Sequence, residues 1–374
     1  MKQVQHVIPF FNYPALFTAQ ESEFQTVFSE VGRRGAFIKQ RDLDEFEKGL
    51  SAFLGVSYAL GVGNATDGLE ASLLAAGIGK GDEVILSSHT MLATAVAVHF
   101  AGAMPVPVEC GADHLIDPHA VEAAISSRTR AIMPTQLNGR TCDMDALQAI
   151  AERHGLLIVE DAAQALGSRY KGRCAGSFGA AAAISFYPAK VLGCLGDGGA
   201  VVTSDSAVYE RASELCNFGR NAAGDVVRWG FNSRLDNIQA AMLNIQFTRY
   251  GEVMTRRRRI AAFYGERLND IVEVALPPGP GADPDHFDIY QNYEIEAEKR
   301  DDLKLYLQDQ GIGTLIQWGG QAIHHMKALG FTQHLPNTDQ LFTRMLMLPM
   351  NMSLSDVDVD YVCDKIRAFY GYAA

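Results

Sequence analysis

The sequence predicts an α/β protein with a large domain, built on a mostly parallel seven-stranded sheet flanked by helices, and a small C-terminal α+β domain. Three observations predict this class. Between about residues 58 and 205, short apolar runs alternate with amphipathic helix-like segments, which is the pattern of βαβ units. The chain has 374 residues, more than one hydrophobic core normally organises. After a loop rich in Pro, Gly and Asp (276–288), the pattern changes to mixed strands and helices.

Seven apolar runs are predicted to be the strands of the large sheet. In chain order they are Tyr58–Gly63, Glu83–Ser88, Met104–Glu109, Arg130–Gln136, Leu156–Asp161, Ala180–Phe186 and Ala200–Thr203. Helix-like segments separate the first five runs, so we expect these strands to be parallel and covered on both faces. A Gly-rich loop joins the last two runs.

The C-terminal part begins with a single long helix, predicted from about Arg234 to about Leu268. Beyond the loop, YQNYEIEA and TLIQW are strand-like, RDDLKLYLQDQG is helix-like, and a final helix is expected from about Ser355. We therefore place the domain boundary inside or just after the long helix. Residues 1–250 then form the large domain with an N-terminal extension, and residues 251–374 form the small one.

Composition and charge exclude several classes of function. The chain has 32 Lys and Arg against 44 Asp and Glu, a formal net charge of −12, which argues against nucleic acid as a partner. The run of basic residues at 256–259 is accordingly expected to be a solvated helix face or a subunit contact. No segment has the length and apolar character of a signal peptide or membrane span. Six cysteines without a C-x-x-C pair predict reduced thiols in the cytoplasm.

The first motif that could carry chemistry is GVGNATDG (61–68), which follows a strand and opens a helix. Backbone N–H groups at a helix N-terminus bind phosphate. The motif also resembles a damaged dinucleotide fingerprint, but the ribose-binding acid should then end the second strand, whereas Asp82 and Glu83 begin it. A Gly-rich turn needed only for packing is the other alternative.

Two further motifs place polar groups beside strand ends. LLIVEDAAQA brings Glu160 and Asp161 to the carboxyl end of a strand, where open α/β sheets bind ligands. A structural salt bridge is the alternative interpretation of these acids. SFYPAKVLG places Lys190 between a strand and a Gly-rich segment, where the amine is either a surface charge or a nucleophile of depressed pKa. Ser185 can add a hydroxyl to an anion site.

A phosphate-binding helix N-terminus, a carboxylate at a strand end and an amine nucleophile are together what pyridoxal phosphate requires. The sequence resembles the DegT/DnrJ/EryC1/StrS family of pyridoxal-phosphate-dependent nucleotide-sugar aminotransferases, which has the aspartate aminotransferase fold (fold type I). The resemblance runs from GAFI (35–38) through DEFEKGLSAFLGV, NATDGL, GDEVI, AIMPTQLNGRTCDMDAL, EDAAQA, YKGRCAGSFG and SFYPAKVLGCLGDGGAV to WGFNSRLDNIQAAML.

The resemblance implies roles for the residues that hold the cofactor ring. Lys190 matches the lysine that forms the Schiff base and moves protons between carbon atoms of cofactor and substrate. Asp161 matches the partner of the pyridinium nitrogen, and Gln164 matches the partner of the ring hydroxyl. The amino group would pass through pyridoxamine phosphate.

The resemblance also implies a phosphate site and a shared active site. Ala65, Thr66 and Ser185 would contact the phosphate. Asn232 matches a residue that reaches the phosphate from the neighbouring subunit, which implies a homodimer. Arg234 matches a guanidinium available to a carboxylate of the amino donor, L-glutamate.

Two positions depart from the family pattern. Met91 stands where an aromatic residue usually lies over the pyridine ring, with His89 two residues before it; a thioether can also contact such a ring. In QWGGQAIHH (317–325), His324 aligns with a family histidine that would bind substrate. A partly exposed surface pair is the alternative for the two histidines, and their spacing does not predict a metal site.

The implied reaction is transamination from L-glutamate to a keto carbon of a dTDP- or UDP-linked deoxysugar, in amino-sugar or O-antigen biosynthesis. SFYPAKVLGCLGDGGAV and NSRLD favour C3 over C4, so amination at C4 is the first alternative. A sugar dehydratase is a second, but such enzymes replace the lysine. A sensor or binding module of the same fold and a nicotinamide-dependent oxidoreductase are the remaining alternatives.

Overall fold

A computed structural model describes residues 6–373, and its strands follow the sequence closely. Within that range the strands, in chain order, are β1 (Tyr58–Val62), β2 (Glu83–Ser87), β3 (Met104–Val108), β4 (Thr129–Met133), β5 (Leu157–Asp161), β6 (Arg169–Tyr170), β7 (Arg173–Cys174), β8 (Ala181–Ser185), β9 (Gly199–Thr203), β10 (Val274–Ala275), β11 (His286–Phe287), β12 (Tyr293–Ala297) and β13 (Met345–Leu348).

The large sheet contains the seven predicted strands in the order β1-β9-β8-β5-β4-β2-β3. The pairs from β8 to β3 are parallel, and β9 runs antiparallel to both of its neighbours. Every residue of β2, β8 and β9 is buried, because helices cover both faces. The prediction of a mostly parallel seven-stranded sheet is confirmed.

Helices cover this sheet and build the remainder of the fold. In the described residues they are α1 (Tyr13–Thr18), α2 (Glu21–Arg34), α3 (Arg41–Leu54), α4 (Ala65–Ala75), α5 (Leu92–Phe100), α6 (Pro118–Ala123), α7 (Met144–His154), α8 (Ser206–Leu215), α9 (Asn237–Phe247), α10 (Tyr250–Leu268), α11 (Arg300–Asp309), α12 (Pro336–Arg344) and α13 (Asp356–Tyr370). None of them, between residues 6 and 373, is both long and apolar enough to cross a membrane.

The prediction of one long helix from about Arg234 to about Leu268 is wrong, because the structure has two helices there, α9 and α10. At the break, the Thr248 hydroxyl donates to the backbone carbonyl of Ile245 (2.7 Å), a local bond that competes with helix continuation. The start of α10 packs into the core of the large sheet through Tyr250 and Met254, whereas its later residues pack into a separate C-terminal core. We therefore keep the boundary near residue 250 as a proposal.

The prediction of a strand at TLIQW (314–318) is also wrong. Leu315 makes a single bridge to Met347, after which Trp318 and Gly319 take left-handed backbone conformations. The third strand of the small sheet β10-β12-β13 comes instead from β13. Met345 and Met347 on that strand are buried.

The basic run 256–259 is only partly the solvated face expected from sequence. Arg256 and Arg259 pair with Asp356 at the surface. Arg257, however, is 5% exposed and donates to backbone carbonyls of the C-terminal part. The prediction is therefore wrong for Arg257, since four consecutive helical residues point in all directions and one of them points into the protein.

Candidate active site

A cavity of about 610 Å³ lies at the carboxyl ends of the parallel strands, where they face the C-terminal part of the chain. Strand ends of the large sheet supply much of its wall, and residues from the C-terminal part of the chain complete the lining. Seven of the residues singled out from the sequence line it, namely Ala65, Thr66, Met91, Asp161, Gln164, Ser185 and Lys190.

One end of the cavity is suited to an anion. The Asn64 side chain caps α4 by accepting the backbone N–H of Asp67 (2.9 Å), so α4 begins at Ala65. The N–H groups of a first helical turn have no partner within the helix, and the helix dipole adds positive potential there. Ser185, at the end of β8, contributes a hydroxyl to the same cavity. This end can therefore bind a phosphate group.

Gly199 fixes the position of this helix end against the sheet. It pairs with Ser185 across β8 and β9, and a Cβ atom added to it would lie 2.5 Å from the carbonyl carbon of Asn64. Only a glycine allows strand and helix backbones to approach this closely.

We expect Gly199→Ala to lower the free energy of unfolding by about 1–3 kcal/mol, because the methyl group must push the start of α4 away. The affinity for phosphate should also fall, because the start of α4 is displaced. Urea unfolding and phosphate titration measure the two effects. Gly32→Ala is the control, since a Cβ at Gly32 on α2 meets nothing within 4 Å. Equal stability of Gly199→Ala and wild type would contradict the assignment.

Asp161 is the buried acid of the cavity, with 4% of its surface exposed. Its carboxylate accepts the Thr94 hydroxyl (2.7 Å) and the Ala163 backbone N–H (3.2 Å). Burial raises the pKa of Asp161, whereas these two hydrogen bonds and the charge of Lys190 lower it. These two hydrogen bonds fix the orientation of the Asp161 carboxylate at the cavity.

Behind Asp161 lies a chain of buried threonine hydroxyls that sequence reasoning missed. Thr94 bonds to Thr90 (2.8 Å), and Thr90 bonds to Thr135 (2.7 Å). Thr90 and Thr94 belong to the segment SSHTMLAT, in which only Met91 and His89 were considered. Their hydroxyls fix the Asp161 rotamer.

Glu160, the neighbour of Asp161, points to the other face of the sheet and does not line the cavity. Its fully buried carboxylate accepts the backbone N–H groups of Gly176, Phe178 and Gly179 and the amide of Gln136. The alternative of a structural salt bridge is therefore wrong for Glu160, because neutral donors satisfy it. Its role is to hold the chain that follows β7.

Lys190 lies half-buried on the loop between β8 and β9, and its amine reaches the cavity. Burial lowers the pKa of Lys190 to about 8, while the charge of Asp161 works in the opposite direction. The lowered pKa increases the fraction of uncharged amine near neutral pH, and the uncharged amine is the form that acts as a nucleophile.

Gln164 presents a hydrogen-bond donor to the cavity. Its carbonyl oxygen accepts the backbone N–H of Asn138 (2.9 Å), and a backbone N–H can only donate. The orientation of the Gln164 amide is thereby fixed, and its NH₂ group is left for a ligand. Asn138, which sequence reasoning missed, stands in the left-handed region (φ 55°) and also accepts the amides of Asn292 and Gln317.

Met91 rather than His89 lies at the cavity. The Met91 side chain is half-exposed at the start of α5, where its sulfur accepts the backbone N–H of Ala93 (3.0 Å). His89 is fully buried and bonds to Gln317 (3.0 Å) outside the cavity wall. The expectation that a thioether replaces the usual aromatic residue is consistent with this placement and stays a prediction.

His324 does not line the cavity. It is 2% exposed and bonds to Ser88 (2.7 Å) and Asp339 (2.8 Å), so the alternative of a surface pair does not apply to it. His325 bonds to the same oxygen of Asp339 at 2.6 Å. Ligands of one zinc ion lie roughly 3.3 Å apart, so these contacts are hydrogen bonds. A substrate contact for His324 stays a prediction.

Asn232 and Arg234 also lie outside the cavity of their own chain. They precede α9, with Asn232 exposed and bridged to Asn217 and Arg234 partly buried. Their predicted roles at a phosphate in the neighbouring subunit and at the amino donor stay predictions.

Comparison with known sequences places this architecture in a family. Residues 18–367 match the sequence model of the DegT/DnrJ/EryC1/StrS aminotransferase family. The chain is 40% identical to the erythromycin biosynthesis sensory transduction protein EryC1 of Saccharopolyspora erythraea, over 96% of this chain and 99% of that protein. It is 39% identical to the dTDP-3-amino-3,4,6-trideoxy-alpha-D-glucose transaminase of Streptomyces venezuelae, over 96% and 95%.

Solved structures give the same result for the fold. The crystal structure of S. venezuelae DesV, in complex with an intermediate, superposes with a TM-score of 0.94 at 38% identity, covering 98% of this chain and 100% of that one. Bacillus subtilis NtdA, with bound cofactor PMP, superposes with a TM-score of 0.88 at 27% identity, covering 99% and 86%. The predicted fold type I is confirmed.

Proposed function

Because this chain belongs to the DegT/DnrJ/EryC1/StrS aminotransferase family, we propose that it transfers the amino group of L-glutamate to the C3 keto carbon of a nucleotide-linked deoxysugar. The protein is an aminotransferase, and pyridoxal phosphate is its cofactor. One observation carries the proposal: an amine, a buried acid and a helix N-terminus line a single cavity.

The residues around the cavity fit pyridoxal phosphate. The N–H groups at the start of α4 and the Ser185 hydroxyl suit the phosphate. Asp161 is buried and directed by Thr94, as the partner of a protonated ring nitrogen must be. Gln164 has a free amide donor for the ring hydroxyl, and Lys190 supplies the amine.

When bound, the cofactor supplies an aldehyde that takes up the amino group and a ring that withdraws electrons from the reacting carbon. Asp161 would hold the ring nitrogen and keep it protonated, because a buried carboxylate stabilises a neighbouring cation. Lys190 would hold the aldehyde of the bound cofactor through its amine, and the lowered pKa of that amine would suit it to move a proton at the reacting carbon. The partly enclosed cavity limits access of water to that carbon.

Apolar and aromatic side chains form part of the cavity lining and suit the apolar carbon atoms of a deoxysugar. They are Phe11, Tyr187, Leu315, Trp318 and Met347. C3 is favoured over C4 because the Streptomyces venezuelae relative named above makes a 3-amino sugar and the motif around Lys190 resembles that branch. The presence of Lys190 disfavours the dehydratase alternative, and we place the enzyme in amino-sugar or O-antigen biosynthesis.

We further propose a homodimer that works in the cytoplasm. The segment before Asn232 exposes Phe218, Val226, Val227 and Trp229, the last with 97% of its surface in solvent. Apolar side chains grouped in this way are typical of a subunit interface. Docking of this segment on a second copy would bring Asn232 and Arg234 towards the other active site.

A substrate panel tests the proposal. Purified holoenzyme with L-glutamate is offered dTDP-, UDP- and GDP-linked 3-keto and 4-keto sugars, and the products are analysed by mass and by NMR. We expect an amino sugar and 2-oxoglutarate, with amination at C3 of a dTDP- or UDP-linked 6-deoxysugar. Amination of 4-keto sugars alone would support the C4 alternative, and dehydrated product without 2-oxoglutarate would support the dehydratase.

A further inference from the structure

The side-chain amide of Gln291 holds both peptide groups that flank Lys190. Its carbonyl oxygen accepts the backbone N–H of Val191 (2.9 Å), and its NH₂ group donates to the carbonyl of Ala189 (2.8 Å). Because Val191 can only donate here and the Ala189 carbonyl can only accept, the orientation of the amide is unambiguous. A carboxylate could make the first bond but not the second, and an aliphatic side chain could make neither.

Gln291 itself is fixed from the opposite side by Arg257 of α10. The Arg257 guanidinium donates to the carbonyl of Tyr290 (2.8 Å) and to that of Gln291 (2.6 Å). Tyr290 is in the left-handed region (φ 51°), so the chain turns sharply just before Gln291. Close approach of Gly139 also restrains the turn, since a Cβ there would lie 2.6 Å from the Gln291 nitrogen.

Arg257 is an unusual residue for this position. It is buried, and the hydrogen bonds that it makes in the described part of the chain go to neutral carbonyls rather than to a carboxylate. Burial lowers the pKa of Arg257 to about 10. A buried cation without an acidic partner lowers the stability of the fold. If the contact were purely structural, an apolar side chain would be more stable at this position.

The loop that carries Lys190 needs such a restraint. Its own backbone supplies one turn, closed by the Lys190 N–H on the carbonyl of Tyr187 (2.8 Å), and one longer-range bond from the Cys194 N–H to the carbonyl of Phe186 (2.7 Å). Downstream, Gln246 holds the carbonyl of Gly193 (2.8 Å). At Lys190 itself the amide of Gln291 provides the link to the small domain. The lysine side chain must bind, release and transfer protons, so only the side chain, not the backbone, should move.

We propose that Gln291, held by Arg257, is a positioning residue that fixes the backbone on both sides of Lys190 and so aims its amine into the cavity. The inference rests on the proposed function, in which Lys190 is the reacting amine. Gln291 lines the cavity and Arg257 does not, but both polar atoms of the Gln291 side chain bond to the lysine loop, so both residues act through that loop. The small domain would thereby control the geometry of an amine carried by the large one.

The test compares wild type with Gln291→Leu, which has a similar volume but makes neither hydrogen bond, and Gln291→Glu, which retains one. In protein freed of cofactor, acetylation of Lys190 is followed against pH by peptide mass spectrometry. Loss of the two hydrogen bonds from Gln291 should expose the Lys190 amine to water and move the midpoint of its acetylation upward from about pH 8. The rate at which added pyridoxal phosphate becomes attached to Lys190, trapped with borohydride, should fall at least about tenfold.

In holoenzyme, kcat should fall about 10- to 100-fold in Gln291→Leu, with the KM for glutamate within about threefold. The kcat of Gln291→Glu should lie between that of Gln291→Leu and that of wild type. Gln148→Leu is the control, because it also removes an amide bond to a backbone carbonyl, that of Phe178, which is not part of the lysine loop. Its acetylation midpoint, attachment rate and kcat should match wild type.

A folded Gln291→Leu protein with unchanged acetylation midpoint and attachment rate would overturn the inference. If Gln291→Leu does not fold, Gln291→Glu decides by the same two measurements. The outcome is distinguishable from failure of the proposed function. Wild-type protein that attaches no cofactor at Lys190 would contradict that function, while the acetylation profile would still report whether Gln291 positions the amine.

Discussion

Lys190→Ala should fold like wild type and lose amino transfer by about 10⁴-fold, the upper end of what one positioned proton-transfer group contributes. The reason is that the variant lacks both the amine that holds the cofactor aldehyde and the base that moves the substrate proton. Lys190 is half-buried on a loop, so its truncation removes little core packing. Glutamate-dependent formation of 2-oxoglutarate measures the loss, and circular dichroism checks the fold.

Two companion variants separate chemistry from charge. Lys190→Arg keeps the positive charge beside Asp161 but carries a guanidinium that cannot act as an amine nucleophile, so it should be as inactive as alanine. Lys171→Ala removes an exposed lysine that pairs with Asp145 at the surface, and its activity should equal that of wild type. Turnover in Lys190→Ala within tenfold of wild type would refute the assignment.

Asp161→Asn should lower kcat by about 10²- to 10³-fold, the loss found when one preorganised electrostatic partner is removed from an active site. Asparagine has the same shape, and its carbonyl oxygen can still accept the N–H of Ala163, so the fold should persist. What is lost is the negative charge that keeps the ring nitrogen protonated. Stopped-flow absorbance of the half-reaction with glutamate measures the effect on the chemical step.

The same variant has a predicted effect on pH dependence. Burial holds the pKa of Lys190 near 8, and the charge of Asp161 partly opposes that shift. In cofactor-free Asp161→Asn the pKa of Lys190 should therefore fall further, so that the amine becomes uncharged at lower pH. Acetylation of Lys190 against pH should show a midpoint below that of wild type, whereas Asp145→Asn, at the surface, should leave it unchanged. A midpoint that rises or does not move would mean that Asp161 does not act on the amine.

The sequence was most informative where local patterns determine structure. The central strands are continuous apolar runs because helices cover both faces of the sheet. Asp161 and Ser185 could be located because they lie at the ends of such runs, and Lys190 because it comes shortly after one. The break between α9 and α10 was missed because residues on both sides keep a helical pattern, and the interruption reflects packing against two different cores.

The supporting residues of the site could not be predicted, because their partners are distant in sequence. Gln291 bonds to Ala189 across 102 positions, and Thr94 bonds to Asp161 across 67. Nothing in the residues around Gln291 or Asn138 indicates which backbone group they will meet. The prediction of a strand at TLIQW failed for a related reason. Trp318 and Gly319 adopt left-handed backbone conformations that the composition of the segment does not reveal.

The proposed function depends most on which amine binds the cofactor, and one measurement on the wild-type protein identifies that amine directly. Holoenzyme is treated with borohydride to make the bond to the cofactor permanent, digested, and mapped by mass spectrometry. We predict a single modified peptide that contains SFYPAK, with the added mass on Lys190. Modification of any other lysine, or a protein that carries no reducible cofactor, would contradict the account.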